Sequence, residues 1–223
     1  MLLVGSVVDR LPGAKYTAKL RFAELALRGP LPRMPTLRRL RAQAPADMVL
    51  ALRAPRSTLS SARGPLRFDA ELERSFAWLL GAREALSAQV TVLPTPSDLT
   101  TGQRDRELLA ELARKLPRAA GSHWVWEPSG PWEPDQAERV ANDLGFVLAF
   151  DPLRDPLPAG DVAYAQLRAI GERRSFSEAI LEQVHALLAG DPERQSFVSI
   201  DAPRSFAHAV RMQELASALD PAP

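Results

Sequence analysis

The stretch Met48 to Arg56, MVLALRAPR, constrains this chain more than any other. It opens as an uninterrupted apolar run of strand length and closes on two arginines around a proline, the pattern of a buried parallel strand that delivers polar groups to one end of a closed sheet. Side chains alternate across a strand, so Val49, Ala51 and Arg53 share one face while Leu50 and Leu52 share the other. The small residues and the cation are expected to point inward, and the leucines to meet helices.

Similar runs recur along the chain. Leu2 to Val8, Arg21 to Leu27, Gln89 to Leu93, Ser122 to Glu127, Gly145 to Asp151, Val162 to Arg168 and Ser196 to Asp201 all read as strands. Amphipathic stretches separate most of them. A short basic helix is expected over Thr36 to Gln43, and a longer one over Phe68 to Leu86, with Leu72, Phe76, Leu79, Leu80 and Leu86 in its apolar stripe and Arg83 interrupting it. Asp105 to Leu116 is expected to bury Leu108, Leu109 and Leu112, and Pro134 to Leu144 to stop at Gly145. Phe176, Ile180, Val184 and Leu187 mark a further helix, with Ser175 and Glu178 in a capping-box pattern, and Ala207, Val210, Leu215 and Leu219 mark the last. Ser57 to Gly64 reads as a polar loop, and PLRDPLPAGD, with three prolines, excludes a helix between strands six and seven. The β-then-α rhythm implies an α/β fold: an irregular TIM-type (β/α) barrel of eight mostly parallel strands. Residues 1–219 are expected to form one domain, with the tail DPAP, 220–223, frayed.

The 223 residues, 46% of them hydrophobic, can bury a core of that size. With no cysteine there is no disulfide framework or thiolate chemistry. The apolar opening is cut short by Asp9 and Arg10, and no run approaches a membrane span, so a cytoplasmic protein with no membrane partner is expected. Charge is uneven: residues 1–67 hold 13 Lys/Arg against 3 Asp/Glu, and the remainder 15 against 24. That surplus, and the segment Arg33 to Arg41, read as a solvated Arg-rich surface; without interleaved aromatic residues, nucleic acid is expected to bind weakly and without sequence preference, if at all.

In a barrel of this kind the C-terminal strand ends share one rim, which holds the active site in enzymes. Those ends supply Glu24, Arg53, Arg56, Glu127, Asp151, Gln166, Arg168 and Asp201. Mixed acids and arginines suit a small anionic or polyhydroxylated ligand, with Glu24 as the candidate acid or base and Arg53 and Arg168 as forked donors to a carboxylate or phosphate. The competing reading is that these groups pair with one another and close the barrel without chemistry. His123, His185 and His208 have no metal-ligand spacing, and the arginines beside the acids argue against a hard cation, so no metal is assigned. No glycine-rich phosphate loop is present and no cofactor is expected. Oligomeric state is not encoded in any motif here.

The ordered motifs VLALRAPR, VLPTPS, EPSGPW, VAYAQLRAIG and FVSIDAPRSFAHAV resemble the YecE-like proteins, the family of domain of unknown function 72. The resemblance runs from the second strand to the last helix and implies an irregular TIM-type barrel with no established activity. Glu24 matches the family's strand-end acid, and Arg53 stands for a lysine. Trp124, Trp126 and Glu127 stand where Glu, Arg and His are usual, Gln166 and Arg168 replace Arg and His, Val92 replaces Gln, and Asp201 replaces Asn. Aligned this way, Trp124 and Trp126 take the inward phase, where two indoles would plug the mouth or form a stacking platform for a ring-bearing ligand; the competing phase packs both under the outer helices and puts His123, Val125 and Glu127 inside. The rim groups are expected to share one cleft.

Overall fold

A computed structural model describes residues 1–169 and 175–219. The expected tail at 220–223, and the Ile170–Gly171 end of the seventh-strand motif, lie outside the described residues. The elements in order are β1 (Leu2–Val8), α1 (Ala14–Thr17), β2 (Phe22–Leu25), α2 (Met34–Gln43), β3 (Val49–Arg53), β4 (Ser60–Ser61), β5 (Gly64–Pro65), α3 (Ala70–Ala85), β6 (Val90–Pro94), α4 (Gln103–Lys115), β7 (His123–Glu127), α5 (Pro134–Leu144), β8 (Val147–Phe150), β9 (Val162–Arg168), α6 (Glu178–Ala189), β10 (Gln195–Asp201) and α7 (Ser205–Leu219). Eight strands close into a barrel in the order β1, β10, β9, β8, β7, β6, β3, β2. Every described pairing between them is parallel. Residues 152–161, between β8 and β9, carry no helix. The fold is the TIM-type α/β barrel that the run spacing implies.

The chain falls into two compact units. The first holds Met1–Leu25, Ala44–Val49 and the chain from Ala149 onward. Its β1 and β2 are tied by Tyr16, whose phenol donates to the Phe22 carbonyl at 2.7 Å and accepts from the Ser6 N–H at 2.9 Å. Burial pushes this phenol's pKa up, so it keeps its proton and its donor role. Beside β1 runs β10, where the Met1 ammonium donates to the Arg194 carbonyl at 2.8 Å.

The second unit holds Ala26–Gln43 and Leu50–Leu148. Its longest helix, α3, starts because Asp69 accepts from the Glu71 and Leu72 amides, which would otherwise lack partners at a helix N-terminus. At the end of α5, Gly145 takes the left-handed conformation that glycine adopts without strain, as the sequence indicates.

Several local expectations are corrected. Ser57 to Gly64 is not all loop: Arg56–Thr58 form a 3-10 turn, and β4 and β5 a small antiparallel pair. A turn of helix, α1, follows Gly13, where no helix is expected from the sequence. The cap of α6 is Ser177, which accepts from the Ile180 amide, and not Ser175. Its buried face is Leu181, Val184, His185 and Leu188, while Leu187 is exposed. On α4 the buried residues are Leu109, Leu112 and Ala113, with Leu108 only partly covered.

Candidate functional site

In the first unit, strand alternation and register define one inward face. Tyr164 lies across from Phe197, Gln166 from Ser199, and Arg168 from Asp201. Phe22 and Glu24 take the same phase on β2, and the rings confirm it: Phe22 meets Phe197 at 5.4 Å and Tyr164 edge-on at 6.4 Å. Above these aromatics the lining turns polar. The Glu24 carboxylate is fully buried, and Tyr164 donates to its Oε2 at 2.7 Å. Gln166 and Ser199 are buried one step further along, and Ser199 Oγ has no hydrogen-bond partner among the described residues. At the strand ends Arg168 is half-buried and Asp201 exposed. Of the residues expected at this rim, Glu24, Gln166, Arg168 and Asp201 therefore take the inward phase. Tyr164 and Ser199 are additions. Tyr164 sits two residues before Gln166, so the same alternation that marks Gln166 also marks Tyr164.

The remaining first-unit candidate, Asp151, is engaged in the turn after β8. One carboxylate oxygen accepts from the Leu153 amide at 3.0 Å and the other lies 3.6 Å from Arg154 Nε. This is the turn chemistry that Asp favours.

In the second unit, Arg53, Val92 and Val125 lie opposite one another on adjacent strands, and Glu127 shares their face. Arg53 Nη2 donates to Glu127 Oε1 at 2.7 Å, a charge-assisted bond between side chains 22% and 9% exposed. Arg56 stands exposed in the 3-10 turn. The valine and alanine of β3 share the face of Arg53 and its leucines take the opposite face, as the sequence leads one to expect.

The two tryptophans do not. Trp124 carries the guanidinium of Arg83 from α3 at 4.8 Å over its ring and donates its indole N–H to the Pro117 carbonyl that follows α4. Trp126 donates to Thr95 Oγ1 at 3.0 Å and meets Trp132 edge-on at 4.9 Å. Both face the helix layer, so neither a plug nor a platform in the barrel mouth is formed. The inward residues of β7 are His123, Val125 and Glu127. Arg83, the interruption in the α3 stripe, is explained by the same contact: burial lowers its pKa, and the indole face takes up part of the charge.

Among the described residues no group of three or more His, Asp or Glu is placed to hold a metal ion. Nor is any helix among them long and apolar enough to cross a membrane.

A closed parallel barrel with acids, an amide and an arginine at the C-terminal strand ends is the arrangement that TIM-type barrels use for ligand sites. No family model matches the sequence, and no curated protein matches it. Solved structures do match in fold. A DUF72 family protein from Thermotoga maritima aligns over 99% of both chains at 13% identity and a TM-score of 0.69. Another DUF72 family protein, from Enterococcus faecalis, aligns over 98% of this chain and 95% of its own, at 10% identity and a TM-score of 0.66. A xylose isomerase domain containing protein from Salmonella typhimurium aligns over 97% and 95%, at 13% identity and a TM-score of 0.59. The chain thus has the fold of the DUF72 proteins along its whole length.

Proposed function

We propose that this chain is a divergent DUF72-type barrel that binds a small anionic or polyhydroxylated ligand at the C-terminal ends of β9 and β10. The observation that carries the reading is the graded inner face of the first unit. Its aromatic floor gives way to the buried Glu24, Gln166 and Ser199 and then to Arg168 and Asp201 at the open end. Buried polar groups cost stability unless partnered, and a packing role alone is served as well by Val, Ile and Leu. A ligand with several hydroxyls, or a carboxylate or phosphate, matches this mixture of donors and acceptors. Arg168 supplies the forked cation for an anionic group, and Glu24 is the group suited to act as acid or base should the ligand be transformed. The reading takes residues 1–219 as one domain, carries the cytoplasmic location expected from the sequence, and assigns no cofactor.

A second reading, a catalytically silent barrel serving as an interaction module, is favoured by the internal pairing: Tyr164 on Glu24 and Arg53 on Glu127, each at 2.7 Å. Thermal-shift measurement against a panel of sugars, sugar acids and sugar phosphates separates the two. Ligand binding predicts a concentration-dependent rise in Tm for one class, lost in Arg168→Ala if the ligand is anionic and in Gln166→Ala if it is a neutral polyol. A flat response across the panel, with both variants as stable as the parent, supports the silent barrel.

A further inference from the structure

On the outside of the first unit, the segment that leads into α6 meets α7 at an imidazole. The Phe176 amide, two residues before the helix, donates to His208 Nε2 at 3.3 Å, and the Phe176 ring stands edge-on to the imidazole at 5.4 Å. Both residues are buried. With Nε2 accepting, the proton of the neutral ring sits on Nδ1, which is buried and has no hydrogen-bond partner among the described residues. One turn further along α7, Arg211 pairs with Glu178, the first residue of α6.

We propose that His208 is a pH-sensitive latch: as the neutral imidazole it holds the start of α6 on α7 through the Phe176 amide, and its protonation releases that attachment. A proton on Nε2 turns the acceptor into a donor aimed at another donor, so the bond is lost outright. Among the described residues, the surroundings supply nothing that would welcome the charge. The charged groups next to it in the chain are Arg204, which precedes α7 and whose carbonyl accepts the His208 amide, and Arg211 on α7. From α6 come Glu178, already paired with Arg211, and the buried His185. The strands packed on α7 offer no ionisable side chain in their outward phase, which is Leu2, Val4, Ser6 and Val8 on β1 and Ser196, Val198 and Ile200 on β10. From α1, Tyr16 packs on Phe206 and keeps its proton. Desolvation first, and the Arg204 charge second, hold the imidazole below its usual value of 6.5. The sign follows: with the folded value lowered, the latch is fully engaged above the unfolded value and is lost as pH falls through the folded one. The latch thus fixes the start of the helix that comes next after β9 in chain order, independently of whether any ligand binds at the strand ends.

Amide hydrogen exchange followed by NMR, with the His208 ring titrated in the same samples, tests this. Corrected for intrinsic chemistry, exchange at Phe176 is expected to rise about tenfold between about pH 7.5 and about pH 5, sharing its midpoint with the His208 ring, while the Val198 amide in β10 stays protected. In His208→Gln the amide oxygen can still accept but does not titrate, and the pH dependence at Phe176 should vanish. Phe176 protection that stays constant while His208 titrates overturns the proposal, as does an unchanged pH dependence in the Gln variant or a parallel loss at Val198. Should the variant fail to fold, the titration of the parent protein decides alone.

Discussion

Tyr164 brings its phenol oxygen to 2.7 Å from a carboxylate with no solvent exposure, and its own ring is walled in by Phe22 and Phe197. The packing fixes the ring and so aims the hydroxyl at Glu24. Tyr164→Phe keeps the ring contacts and removes the donor, leaving a buried acceptor short of a partner. The expected loss is about 1–3 kcal/mol in urea unfolding at neutral pH. Glu24→Gln in the Phe background should recover part of it, because a neutral amide demands less of its surroundings. A Phe variant as stable as the parent would mean that the bond adds nothing. Residue-scale legibility was uneven for a physical reason. Glu24, Arg53, Gln166 and Arg168 end their strands as charges or amides, and their phase follows from alternation. Trp124 and Trp126 lie in a strand buried on both faces, where alternation marks two sides without saying which is in. Only the partners outside it, Arg83 and the Pro117 carbonyl, settle the side.

Helices announce themselves by period more firmly than by their first residue, and α3 and α6 show what sets that residue. Asp69 accepts from two orphan amides and from Ser61 Oγ at 2.9 Å, and these bonds, the Leu72 amide foremost, hold its carboxyl below the ordinary carboxylate range. With the folded value depressed, its contribution is complete above the unfolded value of about 3.9 and fades as pH falls through the folded one. Asp69→Ala should lower the melting midpoint at neutral pH and flatten its acid dependence. Asp69→Asn, which keeps one acceptor oxygen, should lower it less; equal Tm values for all three proteins would remove the cap from the account. For α6, two serines flank Phe176, and the sequence offers a capping box at the first. The choice falls on Ser177 because Phe176 gives its amide to His208 and Glu178 turns to Arg211, so the box has no free carboxylate. Caps chosen by long-range partners of this kind are not written in a local pattern. The α5 stop is local: Gly145 alone supplies the left-handed residue.

For the molecule as a whole, the eight apolar runs with proline and glycine between them give the strand count and the parallel pairing, since a strand buried on both faces needs a run and a parallel crossover usually carries a helix, as all but the β8–β9 connection do here. What the runs do not reveal is how tightly the closing strands approach. Gly5 lies in the middle of β1, in register with Phe22 of β2 and Ser199 of β10. Within an apolar segment it attracts no notice, yet a β-carbon there would stand 2.1 Å from the Phe22 carbonyl oxygen and 2.9 Å from its ring. The obstruction is backbone, which cannot rotate away as a flexible side chain could. The Phe22 carbonyl is also the group to which Tyr16 donates, so displacing it loosens the tie between β1 and β2 as well. Gly5→Ala should therefore cost about 3 kcal/mol or more, at or above the upper end for overpacking. Gly13→Ala is the control, because nothing lies within 4 Å of the added carbon. Its effect should stay within about 1 kcal/mol, the scale of a glycine-to-alanine change without strain. Urea unfolding of the pair, read by tryptophan fluorescence and far-UV circular dichroism, checks both the difference and whether the transition stays cooperative. If the Gly5 variant matches the Gly13 variant, β1 is free to shift, and the close approach is not what holds this edge of the barrel closed.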